Sequence, residues 1–482
     1  MIDPLGFREY DARWAYPTGI DLDGMELLGL SLGTQMARHG KRSVVVGSDY
    51  RSYSEDVREA LIRGLVRAGA RVLDIGMSLS PMAYFAQGHL GADAVAMVTA
   101  SHNPNGWTGV KMGLDYPVTH GPEEMAELRD IALNGQGRAA PGGTVEQVDG
   151  IRAAYLDDLV GTFHLTRPLR VTCATGNGTA GAFAPELLAR IGAEVIPLHT
   201  DLDWDFPNYN PNPEALEMLH DMAAAVRTHH ADLALGFDGD GDRCGVVDEA
   251  GEEVFADKVG LMLARDLAPL HPGAKLVVDV KSTGLYATDP VLAAHGVTTE
   301  YWKTGHSHMK RRVRDTGALA GFEKSGHYFL ADPIGHGYDC GLRVAVEICR
   351  MLDRNPTRSF ADLARALGQS WSSPTMSPHC PDDQKYGVVD RISARLKSLT
   401  HLAGRRITDV ITVNGARVQL DTGAWGLIRA SSNTPNLVVV CESMTSYDEL
   451  YQIFTALDWI LRDEPSVGAY DQQLAPIEGA EA

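Results

Sequence analysis

One pattern recurs along this chain and restricts its fold more than any other: an apolar run of strand length, a polar or glycine-rich turn, then a helical pattern. SVVVG at 43–47, ARVLDIG at 70–76 and DAVAMVTAS at 93–101 alternate with helical patterns such as Ser54 to Arg67. Strand and helix in alternation are the signature of α/β layering. The pattern restarts at LRVTCATGNGTAG (169–181), passes through ADLALGFDGDGDR and the strand-like CGVVDE, and restarts again at KLVVDVKSTG (275–284). Three α/β modules are the economical reading. The last hundred residues differ. Strand-like ITDVITVNGARVQLD, WGLIRAS and NLVVVCES, with a helix near Ser446 to Leu461, predict a small α+β domain. At 482 residues the chain has room for roughly three or four domains. Turn-rich stretches at Leu133 to Gly143, at PLHPGAK (269–275) and at SWSSPTMSPHCPDDQ (370–384) suggest the divisions. The expected segments are 1–150, 151–262, 263–373 and 374–482.

Composition narrows the partners. No apolar run approaches the roughly 20 residues that span a bilayer, and the start, MIDPLGFREYD, lacks the basic and apolar blocks of a signal peptide. The six cysteines lie scattered without a CxxC pair, which favours free thiols over a disulfide framework and predicts a cytoplasmic protein. A formal charge of −20 argues against nucleic acid or an anionic membrane as partner. Any anionic substrate must be drawn in by a local basic cluster.

Two short stretches carry the chemistry. Thr99-Ala100-Ser101-His102-Asn103-Pro104 places a serine in a polar turn after an apolar strand, at the carboxyl end where open α/β sheets put their chemistry. Standing alone it also reads as an ordinary turn. A hydrolase elbow is not present, since no G-x-S-x-G surrounds Ser101, and the adjacent His102 is poorly placed as a triad base. Asp238-Gly239-Asp240-Gly241-Asp242-Arg243 sets three carboxylates at alternate positions. With Glu249 it superficially matches a calcium loop, but Arg243 stands where that loop needs glycine, and strands rather than helices flank it. A solvated acidic turn is the bland alternative. Three carboxylates on one glycine-softened loop instead supply the oxygen ligands that Mg²⁺ prefers. A hydroxyl able to carry a phosphoryl group and a seat for a hard cation together point to phosphoryl transfer through the protein itself.

Seven stretches in order, FREYDAR (7–13), TASHNPNGWTGVKMG (99–113), GFDGDGDRCGVVDE (236–249), DVKSTG (279–284), WKTGHSHMK (302–310), GFEKSGHYF (321–329) and WGLIRASSNTP (425–435), resemble the phosphohexomutases of the bacterial phosphomannomutase/phosphoglucomutase type. The resemblance implies three related α/β domains with mixed sheets and a C-terminal α+β domain of the TATA-binding-protein-like class, all lining one central cleft. It implies that Ser101 carries the phosphate and that Asp238, Asp240 and Asp242 hold one Mg²⁺ together with a phosphoserine oxygen. It matches Lys111 and His306 to general acid and base positions, and Tyr10, Arg13, His102, Arg243 and Lys281 to groups around the transferring phosphate. Glu323, Ser325 and His327 match the sugar-reading loop. Arg429 and Ser431 match the loop that grips the other phosphate, where Ser432 and Asn433 depart from the usual RASNTTP. Trp14, in the place of a glycine, is a second departure.

The resemblance further implies a hexose 1,6-bisphosphate activator, a phosphosugar substrate, and a monomer or weak homo-oligomer. Mannose and glucose phosphates are the expected substrates, with phosphoglucosamine mutase as the alternative and a non-catalytic metal-binding protein or a phosphate-releasing hydrolase as readings from other classes. Individual residues have bland readings too. His306 could cap a helix starting near Met309, Lys111 and Lys281 could be solvated surface lysines, and Glu323 with Lys324 could be an exposed pair. The TGNGTAG turn reads as the start of a helix rather than a nucleotide site.

Overall fold

The computed structural model describes residues 1–432 and 434–474. The chain divides into two compact units, one built from Met1–Leu263 with Lys310–Ala364, the other from Ala264–Met309 with the residues from Arg365 onward.

The first unit begins with a six-stranded mixed sheet in the order Ala12–Ala15, Trp107–Gly113, Ala94–Val98, Ser43–Ser48, Arg71–Met77, Thr144–Gln147. Ser43–Ser48 runs parallel to both its neighbours, while Trp107–Gly113 is antiparallel to Ala94–Val98. Val44, Val45 and Val46 are all buried, as the unbroken apolar run requires of a strand covered on both faces. The predicted helix Ser54–Arg67 forms over those residues and packs on Leu22–Arg38, which Asp21 caps by accepting from the Gly24 amide at 2.8 Å. The two helices meet through Gly29 and Gly64: a Cβ on Gly64 would lie 2.0 Å from the Glu26 carbonyl oxygen. The edge strand Thr144–Gln147 was not legible in sequence, because its four residues are exposed and carry no apolar alternation.

A second mixed sheet follows in the order Glu253–Val254, Cys244–Asp248, Leu233–Phe237, Arg170–Ala174, Glu194–Leu198. Leu233–Phe237 and Cys244–Asp248 are antiparallel, so the acidic loop is the tip of a hairpin. Ala320–Phe322 and Tyr328–Leu330 form another hairpin whose loop carries Glu323, Ser325 and His327. The two tips touch, with Cys244 N–H donating to the Gly326 carbonyl at 3.0 Å and Arg243 paired to His327 along the backbone. The TGNGTAG turn opens a short 3₁₀ turn, Thr179–Ala182, ahead of the helix Ala184–Arg190, as the structural reading expected.

In the second unit, Lys275–Asp279 pairs in parallel with Thr298–Trp302. An antiparallel six-stranded sheet follows, in the order Trp371–Ser372, Leu437–Ser443, Trp425–Ala430, Ala416–Leu420, Arg405–Ile411, His401–Leu402. With the helices Lys385–Ser398 and Tyr447–Arg462 it builds the α+β arrangement expected at the C-terminal end. Trp14 is a core residue of the first unit: its indole N–H donates to the Asp3 carbonyl at 2.7 Å and its ring meets Phe7 edge-on at 5.3 Å.

Candidate active site

The strand Ala94–Val98 ends in the serine loop, and the loop is held from below. Thr99 Oγ1 donates to Asp49 Oδ2 at 2.8 Å, the Ala100 amide to the same oxygen at 3.2 Å, and the Ser101 amide to Thr99 Oγ1 at 2.8 Å. Arg51, buried against Asp49, donates to the carbonyls of Ser101 at 3.0 Å, Asn103 at 2.7 Å and Pro104 at 3.1 Å. These bonds impose a backbone φ of 52° on Ser101, a left-handed conformation uncommon for a residue with a side chain and concentrated at functional sites. Asp49 and Arg51 escaped the sequence reading. Their signal was position: they follow the strand Ser43–Ser48, which lies beside Ala94–Val98 and ends at the same carboxyl edge.

The hairpin tip comes to meet this loop. Ser101 Oγ donates to Asp238 Oδ2 at 3.0 Å across 137 residues of sequence and lies 3.3 Å from His102 Nδ1. Gly239 makes the approach possible, since a Cβ there would stand 2.4 Å from the Ser101 carbonyl oxygen. Ser80 donates to Asp240 Oδ2, and Lys111 Nζ bridges Asp240 Oδ2 at 2.7 Å and Asp242 Oδ2. Asp238, Asp240 and Asp242 are 0% exposed, Ser101 1% and Lys111 3%. The solvated acidic turn is therefore excluded for the triad, and the surface-lysine reading for Lys111.

Three buried carboxylates this close repel one another. Burial lifts Asp238 well above the usual carboxylate range, and Asp242 and Asp240 push it the same way against Arg243 and Lys111. Burial also opposes ionisation of Asp240 and Asp242, but there Lys111 helps to outweigh it and both stay low. Burial likewise disfavours the Lys111 ammonium, which Asp240 and Asp242 nevertheless hold charged well above the ordinary lysine value. His102 is pushed well below the usual imidazole range by burial, then by Arg243 and Arg13, and so stands neutral.

The donor set fits a hard divalent cation. One oxygen from each of the three carboxylates falls within 4.8 Å of the others, and the buried Oδ1 atoms of Asp240 and Asp242 have no hydrogen-bond partner. Orphaned buried oxygens are costly unless something charged sits against them. All-oxygen ligation from a short acidic loop suits Mg²⁺, with Ser101 Oγ at its rim.

Other candidates gather here. Arg13 donates to Asp11 Oδ2 at 2.9 Å and to Asn103 Oδ1 at 3.3 Å. Tyr10 is buried, and burial followed by Asp11 and Glu323 raises its phenol above the usual range. Arg243 donates from Nε to His327 Nε2 at 3.1 Å and from NH1 to Glu214 at 3.0 Å. Glu323 and Lys324 are buried rather than an exposed pair, and Ser325 Oγ donates to Glu323 Oε2 at 3.0 Å.

The second unit carries the remaining candidates. His306 is the first residue of the helix His306–Thr316, which starts three residues before the expected Met309, because His306, Ser307 and His308 already take helical geometry, with the Met309 amide donating to the Gly305 carbonyl at 3.0 Å. Lys281 is buried, 3.9 Å from Asp279, on a loop pinned by two groups the sequence did not reveal. Arg417 donates to the carbonyls of Val280 at 2.8 Å and Ser282 at 2.7 Å, and buried Glu442 accepts from Thr283 Oγ1 and the Gly284 amide, both at 2.7 Å. Arg429 is also buried and donates to the Ala430 carbonyl at 2.8 Å. Ser431 Oγ accepts from Thr434 Oγ1 at 2.8 Å across the departing segment; Ser432 is half-buried, and Asn433 lies outside the described residues.

Comparison with known proteins decides the lineage. The phosphoglucomutase/phosphomannomutase family models match in sequence order: α/β/α domain I over residues 4–138, domain II over 153–251 and domain III over 255–370. The chain belongs to the phosphoglucomutase/phosphomannomutase family. A phosphomannomutase/phosphoglucomutase of Pseudomonas putida is 34% identical over 96% of this chain and 96% of its own length. A phosphoglucomutase of Neisseria gonorrhoeae is 34% identical over 91% of this chain and 93% of its own. The crystal structure of a phosphoglucomutase/phosphomannomutase family protein from Burkholderia thailandensis superimposes with a TM-score of 0.88 at 31% identity, covering 97% of this chain and 99% of that one. Three α/β domains and a C-terminal antiparallel sheet are the family's fold.

Proposed function

We propose that this chain interconverts hexose 1-phosphates and hexose 6-phosphates, of glucose and mannose alike, through a phosphorylated Ser101 and a 1,6-bisphosphosugar that turns end for end. It is an intramolecular phosphotransferase. The observation that carries the reading is the 3.0 Å contact of Ser101 Oγ with Asp238, inside a cluster of fully buried carboxylates with orphaned oxygens. A phosphoryl group carries about −1.5 to −2 charges, and its loose transition state leaves positioning and electrostatics as the protein's main tools. Asp238, Asp240 and Asp242 would hold one Mg²⁺, which supplies the positive charge that such a group needs beside three acids. Arg13 and Arg243 add cationic donors, and neutral His102 offers Nδ1 to the Ser101 oxygen.

In the forward transfer the Ser101 O–P bond breaks, a sugar O–P bond forms, the sugar hydroxyl passes its proton to a base, the position the family resemblance gives to His306, and the freed Ser101 oxygen takes one up. Lys111 holds a proton and serves as an acid toward the Ser101 oxygen rather than as a base. Glu323 and Ser325 take the 3- and 4-hydroxyls, where glucose and mannose agree, so the grip does not read carbon 2. Tyr10 and His327 belong to the same reading. Lys281, His306, Arg429, Ser431, Ser432 and Asn433 enter it from the family resemblance, His306 as acid or base and the others as holders of phosphate. The division at 1–150, 151–262, 263–373 and 374–482, a monomer or weak homo-oligomer, a hexose 1,6-bisphosphate activator, and a cytoplasmic setting away from nucleic acid and membrane complete the proposal. Six buried thiols support a reducing compartment, and no helix among the described residues is long and apolar enough to cross a membrane.

A coupled assay on the 1-phosphates of glucose, mannose and glucosamine, with Mg²⁺ and a trace of 1,6-bisphosphate, tests this. Isomerisation of the glucose and mannose compounds is expected. Preferred turnover of glucosamine 1-phosphate would reassign the substrate, and release of inorganic phosphate would mark a hydrolase. Ser101→Ala should abolish label exchange between glucose 1-phosphate and glucose 6-phosphate; retention of most activity would refute the nucleophile.

A further inference from the structure

Behind the sugar-loop hairpin lies a buried chain of charges that the motifs did not mark. Lys310 Nζ stands 2.7 Å from Asp339 Oδ1, with both side chains fully buried, and the ammonium lies over the Tyr84 ring at 4.2 Å. The other oxygen, Asp339 Oδ2, is 3.0 Å from His327 Nδ1. On the far side of the same imidazole, Arg243 Nε donates to Nε2 at 3.1 Å. A guanidinium has no acceptor, so Nε2 must offer its lone pair and the ring proton must sit on Nδ1, facing Asp339. Two carboxylates face that proton, neither through a formed hydrogen bond: Asp339 Oδ2 at 3.0 Å and Asp242 Oδ1 at 3.8 Å, so the nearer Asp339 holds it by the proximity of its charge.

We infer that Asp339, backed by Lys310, is a positioning residue: it holds His327 as the Nδ1–H tautomer, which leaves Nε2 to aim Arg243 and keeps the ring from capping the Asp242 oxygen. The inference rests on the proposed phosphotransfer reading for its kinetic consequence but not for its geometry. A buried ion pair is weak evidence for stability, because apolar residues of similar volume often pack as well or better. Its position against an imidazole that touches an active-site arginine gives it a job. A carboxylate that fixes the tautomer of a working histidine is a recurrent device, and losing such a partner costs about 10- to 100-fold.

The test uses nitrogen-resolved NMR of the histidine side chains in the full chain, with the His327 signal assigned by its loss in His327→Gln. In the unaltered protein His327 should be the Nδ1–H tautomer, a measurement that needs no Asp339 variant to fold. Asp339→Asn should mix the tautomers and lower kcat by about 10- to 100-fold with KM changed less than about 3-fold, and Asp339→Glu should restore part of both. An Nε2–H tautomer in the unaltered protein overturns the inference, as does an Asp339→Asn variant that keeps the Nδ1–H form or full kcat. If the unaltered protein proves to have no mutase activity, the phosphotransfer reading fails and the tautomer measurement alone decides this one.

Discussion

Two buried carboxylate sites, one in each unit, show opposite ways of handling an acid out of water. Glu442 has its charge answered entirely by the fold: Oε1 accepts from Thr283 Oγ1 at 2.7 Å and Ser372 Oγ at 3.1 Å, and Oε2 from the Gly284 amide and Trp425 Nε1, both at 2.7 Å. The Asp238–Asp242 loop is just as buried yet leaves Oδ1 of Asp240 and Asp242 without a partner. A satisfied buried acid fastens a loop. One left with open oxygens and repelling neighbours gives up stability locally, as the binding role proposed for it requires.

The contrast can be broken most sharply at Asp238. Asp238→Asn should cut mutase kcat by on the order of 10³- to 10⁴-fold, ~4 to 5 kcal/mol of transition-state stabilisation; near-normal turnover would end the metal-loop reading. Glu442→Ala strands four donors at once and should lower stability by about 3 to 5 kcal/mol in a urea or thermal melt. An unchanged midpoint would show that the clamp on residues 280–284 does not matter.

His120 offers a test by pH. Burial depresses its imidazole from 6.5 to about 4, and its Nε2 lies 2.9 Å from Gln35 Oε1. A depressed folded-state value means that the unfolded chain takes up the proton first, so stability is whole above pH 6.5 and falls as pH drops toward 4, by about 3 kcal/mol at most. His120→Gln should remove that part of the pH dependence; parallel curves for the two proteins would contradict it. Mg²⁺ at a hundred times its dissociation constant should stabilise the chain by about 2.7 kcal/mol over EDTA, and Asp240→Asn should erase the shift. The smallest effect has the opposite sign. Without metal, Asp238→Asn should raise stability by about 1 kcal/mol by relieving the repulsion, whereas no change of Glu442 should stabilise.

Much of the architecture was legible because it follows from local rules. Ser43–Ser48 and Ala94–Val98 announced themselves as apolar runs, and Ser54–Arg67 as an amphipathic helix, since periodicity reports burial directly. Thr144–Gln147 did not, because an exposed edge strand of four polar-leaning residues is specified by its neighbour rather than by its own pattern. The same division runs through the site. Ser101 and the acidic triad stood out as motifs. Asp49, Arg51, Asp339 and Glu442 had no motif to betray them, being ordinary charged residues whose partners lie far away along the chain.

Sequence by itself therefore determined the layered modules, the serine loop and the acidic loop, because strand and helix periods and turn chemistry are properties of short segments. Only the tertiary structure decided that Ser101 Oγ meets Asp238, that Lys111 is buried between two aspartates, and that Asp339 faces the His327 ring. Those facts depend on chain segments tens to hundreds of residues apart being brought within about 3 Å, and hydrogen bonds and ion pairs of that reach leave no trace in local composition.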